Sequence, residues 1–356
     1  MRSRSRLAVA VLCGLGLLVA ACGPGGTTPS APGSAAPSAS LGGSAASPAS
    51  SHEPVALKVG LGYIPSVQFA PFYLADQAGY YKEAGLDVTF RHGTDYDVIA
   101  LVAKGELDTG LADGTSAIPA VSQGIPIRYV ATIYGQFPSI VFSKASAGIA
   151  APADLKGKKV GIPGRYGASW IMLQALLGSA NLTPDDLQIV EYPDFGQGAA
   201  VAKGAVAAAT GFVNNEPVQL ELAGTRVSIL RVDQVTPLPG NGLVVGATTL
   251  AAKHDALAAF VAATLRAMAE VEANPEVGLD AAVKAVPELG KDRETQAAIL
   301  AATVDVWRGP VQEANGLGAL DRDGWAKSID YLGTLKLTPN KVTVDDILDP
   351  SLLPAD

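Results

Sequence analysis

The chain is short of the side chains that build disulfides, metal centres and nucleophilic sites. Among 356 residues there are two cysteines, Cys13 and Cys22, and three histidines, His52, His92 and His254. Cys13 lies in a segment that reads as a removed leader, which leaves one thiol and excludes a disulfide framework or a cysteine-based metal site. The histidines are not spaced as a ligand set. Neither a nucleophile elbow nor a phosphate-binding glycine loop is present. The expectation is therefore no catalytic residue, no metal and no cofactor. Basic charge is also scarce: 26 Lys and Arg stand against 34 Asp and Glu, a net charge of −8. Such a balance argues against a nucleic-acid partner or a polybasic membrane contact. Aromatics make up 6% of the chain, so the places where they gather carry information.

The N-terminus supplies what the body lacks. Residues 1–6 hold three arginines, residues 7–20 are apolar, and Val19-Ala20-Ala21-Cys22 follows. A basic start, a short apolar stretch and small residues are the marks of an export signal. The apolar stretch is too short for a bilayer span, which takes roughly 20 residues. Small residues followed at once by cysteine resemble the bacterial lipobox, in which the cysteine becomes the lipidated N-terminus. Residues 1–21 are thus expected to be a signal peptide and Cys22 the lipidated residue. Residues 22–54, almost all Gly, Pro, Ser, Ala and Thr, read as a flexible, lipid-anchored linker.

Beyond the linker, apolar runs alternate with helical patterns. Residues 57–61, 86–90, 107–112 and 127–133 read as strands, with helices at 71–84, 96–104 and 115–123. The pattern restarts with strands at 160–163, 187–191, 206–211 and 227–230 and helices at 168–180, 197–203 and 217–223. This βαβ alternation predicts an α/β fold with mostly parallel sheets. Two segments, VAKGELDTGLAD (102–113) and VAKGAVAAATGF (201–212), share a helix, a Lys-Gly stop and an apolar strand, which points to duplication. Linkers between two lobes are expected near 139–143 and 242–246, giving one lobe from 55–140 plus 243–356 and another from 141–242. Small residues in those linkers suit a hinge. Helices at 251–273, 276–285, 293–307 and 321–332 are expected to pack on the first lobe.

In open α/β sheets, ligands bind beyond the carboxyl ends of the strands, where helix N-termini also point. The residues placed there are Tyr63, Gln68 and Phe69; Asp95 and Tyr96; Asp113 and Thr115; Tyr134; Arg165, Tyr166 and Ser169; and Asn214, Asn215 and Glu216. Stacked aromatics with a few amides and carboxylates suit a flat heterocycle with polar edges. Each residue also has a structural alternative. A loop aromatic can anchor in the core, Asp113 and Glu216 can cap helices, and Arg165 and His92 can be solvated surface residues.

Four stretches together carry a resemblance: GYIPSVQFAPFYLADQAGYYKEAGLDVTF, GELDTGLADGTSAI, PADLKGKKVGIPGRYGAS and GFVNNEPVQL. Over residues 57–265 the chain resembles the periplasmic-binding-protein-like proteins around fungal thiamine-pyrimidine synthase, whose bacterial relatives serve ABC importers. The resemblance implies a two-lobed, type 2 periplasmic-binding-protein-like fold. It also implies a monomer that delivers a small ligand to permease and ATPase subunits from the outer face of the cell membrane. Within the family, the first loop, GRYGAS and NNEP look most like lipoproteins that bind riboflavin or a formylaminopyrimidine precursor of thiamine. On that likeness Tyr63 and its neighbours form one aromatic wall of an interlobe cleft, and residues 165–169 with 214–216 form the other. Ala207 departs from the family's usual Asp after G-x-V. The fungal enzymes carry a cysteine-rich iron-binding motif that this chain lacks, so the expectation is a binding protein and not an enzyme. Alkanesulfonate binders need clustered donors, whereas Asp95, Asp113 and Glu216 supply acceptors.

Overall fold

The structure is a computed structural model and describes residues 53–354; the leader, Cys22 and most of the linker lie outside the described residues. The first half lays down strands β1 (Val55–Leu61), β2 (Leu86–His92), β3 (Thr109–Asp113) and β4 (Ile127–Thr132), with helices α1 (Ala70–Gln77), α2 (Tyr80–Glu83), α3 (Asp95–Ala103) and α4 (Gly114–Ser122) between them. The single helix expected over 71–84 is two. Gly79 sits at φ 83°, a left-handed conformation that only glycine adopts without strain, and the chain turns there.

The second half adds β5 (Ser139–Lys144), β6 (Lys159–Ile162), β7 (Gln188–Glu191), β8 (Ala208–Phe212) and β9 (Val227–Arg231), with α5 (Gly167–Gly178), α6 (Gln197–Lys203) and α7 (Glu216–Leu222). The chain returns through β10 (Asn241–Gly246). Two five-stranded sheets result, ordered β2-β1-β3-β10-β4 and β7-β6-β8-β5-β9. The shared order supports the duplication read from the two VAKG segments, because β3 and β8 hold the same place and each follows a helix and a Lys-Gly stop.

The segments expected as linkers are not linkers. Residues 139–143 and 242–246 lie inside β5 and β10, each of which runs antiparallel to both its neighbours. The reason is directional. The other strands of each sheet are parallel and end at the side facing the opposite lobe. A chain leaving β4 enters the second sheet from that side and must run against its strands, and the return through β10 repeats this in reverse. The crossings themselves fall just before each of these strands.

The rest is helical: α8 (Ala247–Ala252), α9 (His254–Ala273), α10 (Pro275–Ala285), α11 (Arg293–Trp307), α12 (Pro310–Asn315), α13 (Arg322–Thr334) and α14 (Val344–Ile347). Helices α9 and α10 pack on α1 around a core that holds Phe72, Tyr81, Phe260 and Trp307, all almost wholly buried. This region also reaches the second lobe. Helix α11 packs against α7, and the Tyr331 hydroxyl on α13 donates to the Ala175 carbonyl on α5 at 3.1 Å.

Candidate functional site

The carboxyl ends of the parallel strands of both sheets open into one cleft, which narrows to a cavity of about 80 Å³. From the first lobe, Tyr63 and Phe69 line it, held by the loop that follows β1. From the second, Tyr166, Phe195 and Phe212 line it. Tyr63 and Phe195 meet edge to face across the cleft, ring centroids 4.8 Å apart and planes at 78°. Phe195 stands at φ 59° in the turn after β7, a sparsely populated conformation for a non-glycine residue and one that tends to mark functional sites. Tyr166 lies directly over Gly164, where a Cβ would come within 2.2 Å of its ring; only glycine lets the ring lie flat there.

His92 is not the surface residue expected from sequence. It is half-buried, and its two ring nitrogens lie 3.1 Å from the Tyr63 carbonyl oxygen and 3.1 Å from the Tyr73 hydroxyl. Burial holds its pKa below the usual imidazole value. The neutral tautomer with the proton on Nδ1 satisfies both contacts, since Nδ1–H donates to the carbonyl and Nε2 accepts from Tyr73. His92 thus braces the loop that carries Tyr63.

The polar groups divide in two. One set spans the lobes. Asn214 is wholly buried, and its Nδ2 donates to Gln68 Oε1 at 3.1 Å and to Thr303 Oγ1 at 2.8 Å. The Tyr134 hydroxyl also donates to Gln68 Oε1, at 3.3 Å. Asn215 Nδ2 donates to the Tyr63 hydroxyl at 3.4 Å and its Oδ1 accepts from Gln219. Asn214 therefore joins α11 and the first loop to the second lobe. Asn214→Ala should loosen the closed arrangement by about 1–3 kcal/mol, the usual cost of a broken buried polar contact. Small-angle scattering of the unliganded protein checks this: the radius of gyration is expected to rise, and an unchanged value removes Asn214 from the latch.

The other set is acceptor-rich. Glu216, the first residue of α7, is buried; it accepts from the Phe212 amide at 2.9 Å and from Gln197 Nε2 at 3.2 Å. Burial pushes its pKa up to about 7. Its charge adds to burial in raising the Tyr63 phenol. Asp113 caps α4 through Ser116 N at 2.6 Å and is pushed up to about 6, again mainly by burial. Asp113 Oδ2, Gln197 Oε1 and Asn241 Oδ1 are buried without a hydrogen-bond partner, and Gln197 and Asn241 line the cavity.

Of the residues expected from sequence, Tyr63, Gln68, Phe69, Tyr134, Tyr166, Ser169, Asn215 and Glu216 line the cavity. Asp113 and Asn214 lie buried behind that lining. Thr115 is turned away and donates to the Pro239 carbonyl at 3.1 Å. Arg165 stands at the surface, paired with Glu191 at 3.1 Å, its guanidinium 5.2 Å from the Trp170 ring. Asp95 and Tyr96 begin α3, and their side chains lie outside the described ones. Sequence reasoning placed the turn 192–195 at a strand end but did not name Phe195 as a contact, and it left out Phe212, Gln197 and Asn241. Asn241 directly precedes the segment expected as a linker, and the role of Phe195 depends on a backbone conformation that composition does not reveal.

This arrangement has relatives. The NMT1/THI5-like family model matches residues 66–277. The riboflavin-binding protein RibY of Chloroflexus aurantiacus is 34% identical over 347 residues, 95% of each chain. The 4-amino-5-hydroxymethyl-2-methylpyrimidine phosphate synthase of Aspergillus parasiticus is 28% identical over 62% of this chain and 68% of its own. In fold, the periplasmic aliphatic sulphonate binding protein SsuA of Escherichia coli superposes with a TM-score of 0.64 at 19% identity, covering 83% of this chain and 97% of that one. The two lobes form a periplasmic-binding-protein fold of type 2, and by the family match and the RibY identity the chain belongs to the NMT1/THI5-like family.

Proposed function

We propose that this protein is the solute-binding component of an ABC importer and takes a flat heteroaromatic vitamin, riboflavin first, between its lobes. The observation that carries the reading is the pairing of aromatic faces from both lobes, Tyr63 and Phe195, with unpartnered acceptors, Gln197 Oε1 and Asn241 Oδ1, on one cavity. A ring system with N–H edges satisfies both: stacking uses the faces, and the donors meet the acceptors. The likeness to RibY supports riboflavin over a thiamine pyrimidine. No lysine or arginine is among the residues that line the cavity, which weighs against a sulfonate or another anion. The proposal includes export, a lipid on Cys22, a monomeric state and delivery to a permease. It makes no use of catalysis, although relatives include pyrimidine synthases.

The cavity is small beside the roughly 300–1,000 Å³ of typical small-molecule sites, so a three-ring ligand enters only when the lobes part. The test is fluorescence titration of the purified protein with riboflavin. Quenching that saturates at one ligand per chain is the expected result. No quenching, together with binding of a 4-aminopyrimidine in calorimetry, would move the assignment to the pyrimidine, and binding of neither would overturn it.

A further inference from the structure

The aromatic faces and Glu216 account for a ring, but they leave a second group of polar atoms unused. Asp113 and Asn241 are direct partners in the antiparallel pairing of β3 with β10, so their side chains leave the same face of the sheet. Asp113 is wholly buried and its Oδ2 has no partner; Asn241 is 6% exposed, lines the cavity, and its Oδ1 has no partner. Ser116, whose amide binds Asp113 Oδ1, has its own hydroxyl buried beside the same carboxylate. From the opposite lobe come the Ala168 amide, which acts on the Asp113 carboxylate, and the Ser169 hydroxyl, 3.5 Å from Ser139 Oγ. Ala168 and Ser169 both line the cavity.

Buried polar atoms are almost always satisfied, and each one left bare carries a penalty of about 1–3 kcal/mol. Two bare oxygens, Asn241 Oδ1 on the lining of a ligand cavity and Asp113 Oδ2 buried directly behind it, therefore mark where a ligand supplies the missing partners. The chemistry of the group is mixed: Asp113 Oδ2 and Asn241 Oδ1 accept, while the hydroxyls of Ser116 and Ser169 both donate and accept. Aliphatic hydroxyl groups match such a set, since each both donates and accepts. A carboxylate or phosphate does not, because it would stand against the buried carboxylate of Asp113 with no lysine or arginine in the lining.

Resting on the reading above, we propose that Asp113, Asn241 and Ser116 form a second subsite for an uncharged, hydroxyl-bearing chain attached to the ring, and that Asp113 excludes a phosphorylated form of that chain. Riboflavin carries such a chain, lumiflavin has the same ring without it, and flavin mononucleotide ends it in a phosphate. The order of affinity expected for the wild-type protein is riboflavin, then lumiflavin, then flavin mononucleotide.

Asp113→Asn is the informative variant, because asparagine also caps helices and the fold is retained. It should weaken riboflavin about tenfold, the scale of one lost hydrogen bond to a charged acceptor. It should leave lumiflavin unchanged and narrow the gap between riboflavin and flavin mononucleotide. Asn241→Ala, read the same way, should weaken riboflavin and spare lumiflavin. Equal losses for riboflavin and lumiflavin would make both residues structural and overturn the subsite. So would a wild-type protein that binds lumiflavin or flavin mononucleotide as tightly as riboflavin. If the wild-type protein binds none of the three, the ring assignment fails first and the subsite fails with it.

Discussion

Glu216→Gln is expected to make the unliganded protein more stable at about pH 8, by on the order of 3 kcal/mol, and to change it little near pH 5. The cause is the burial that raises this carboxyl from its ordinary 4.5 to about 7. Well below 4.5 the folded and unfolded chains both hold the proton, and the site carries no penalty. Between 4.5 and about 7 the unfolded chain ionises while the folded one keeps its proton, so stability falls as pH rises. Above that window the full penalty is present. Asp113, raised from 3.8 to about 6 by burial, acts with the same sign over a lower and narrower window. Glutamine removes the group that ionises but still accepts from the Phe212 amide, and Gln197 can turn its unpartnered oxygen toward the new amide.

Urea denaturation of both proteins at the two pH values measures this directly. A variant no more stable than wild type at the higher pH would mean that the carboxylate is solvated in the resting protein. The same substitution should weaken ligand binding, most of all for an amino-bearing pyrimidine, since the anion is the better acceptor for ring N–H and amino groups. Stability gained and affinity lost together identify a residue kept for the ligand, not for the fold.

The fold was legible in the sequence to the extent that local signals govern it. Periodicity and Lys-Gly stops placed every strand of the two parallel sets within a few residues, and α6 over 197–203 without error. It failed at β5 and β10 because nothing local in either segment, serines in β5 and glycines in β10, shows that it is inserted into a sheet. That pairing is decided by the direction from which the chain crosses. At the site, the rule that ligands meet strand carboxyl ends picked out Tyr63 and Glu216, which line the cavity, because their positions follow from the strand ends alone. Arg165 follows the same rule and still ends at the surface, where Glu191 on β7 takes its charge. Strand β7 reaches it by parallel pairing with β6, a contact between segments distant in sequence. Phe195 and the brace made by His92 depend on backbone conformation and on Tyr73, neither of which can be read from spacing.

Tyr63→Ala should lower affinity for the ring ligand tenfold to a hundredfold, from the roughly 1–3 kcal/mol that stacking on an aromatic side chain contributes. The ring is placed for this role by several independent constraints. His92 holds its carbonyl at 3.1 Å, Asn215 holds its hydroxyl at 3.4 Å, and Phe195 meets its edge. Alanine removes the stacking face and also the contact with Phe195, which frees that side chain from the opposite lobe. Tyr63→Phe keeps the face and the Phe195 contact and loses only the long bond to Asn215, so its effect should be within about threefold, in line with a weak neutral hydrogen bond. The phenol stays un-ionised throughout, because burial and the Glu216 charge both hold its pKa above the ordinary value; its contribution to binding therefore should not vary with pH below that value. Calorimetry on the two variants and the parent, with thermal melts to confirm folding, separates the possibilities. A large loss in Tyr63→Ala alone assigns the residue to stacking, equal losses in both assign it to the hydroxyl and its hold on Asn215, and no loss in either places the ligand away from this wall.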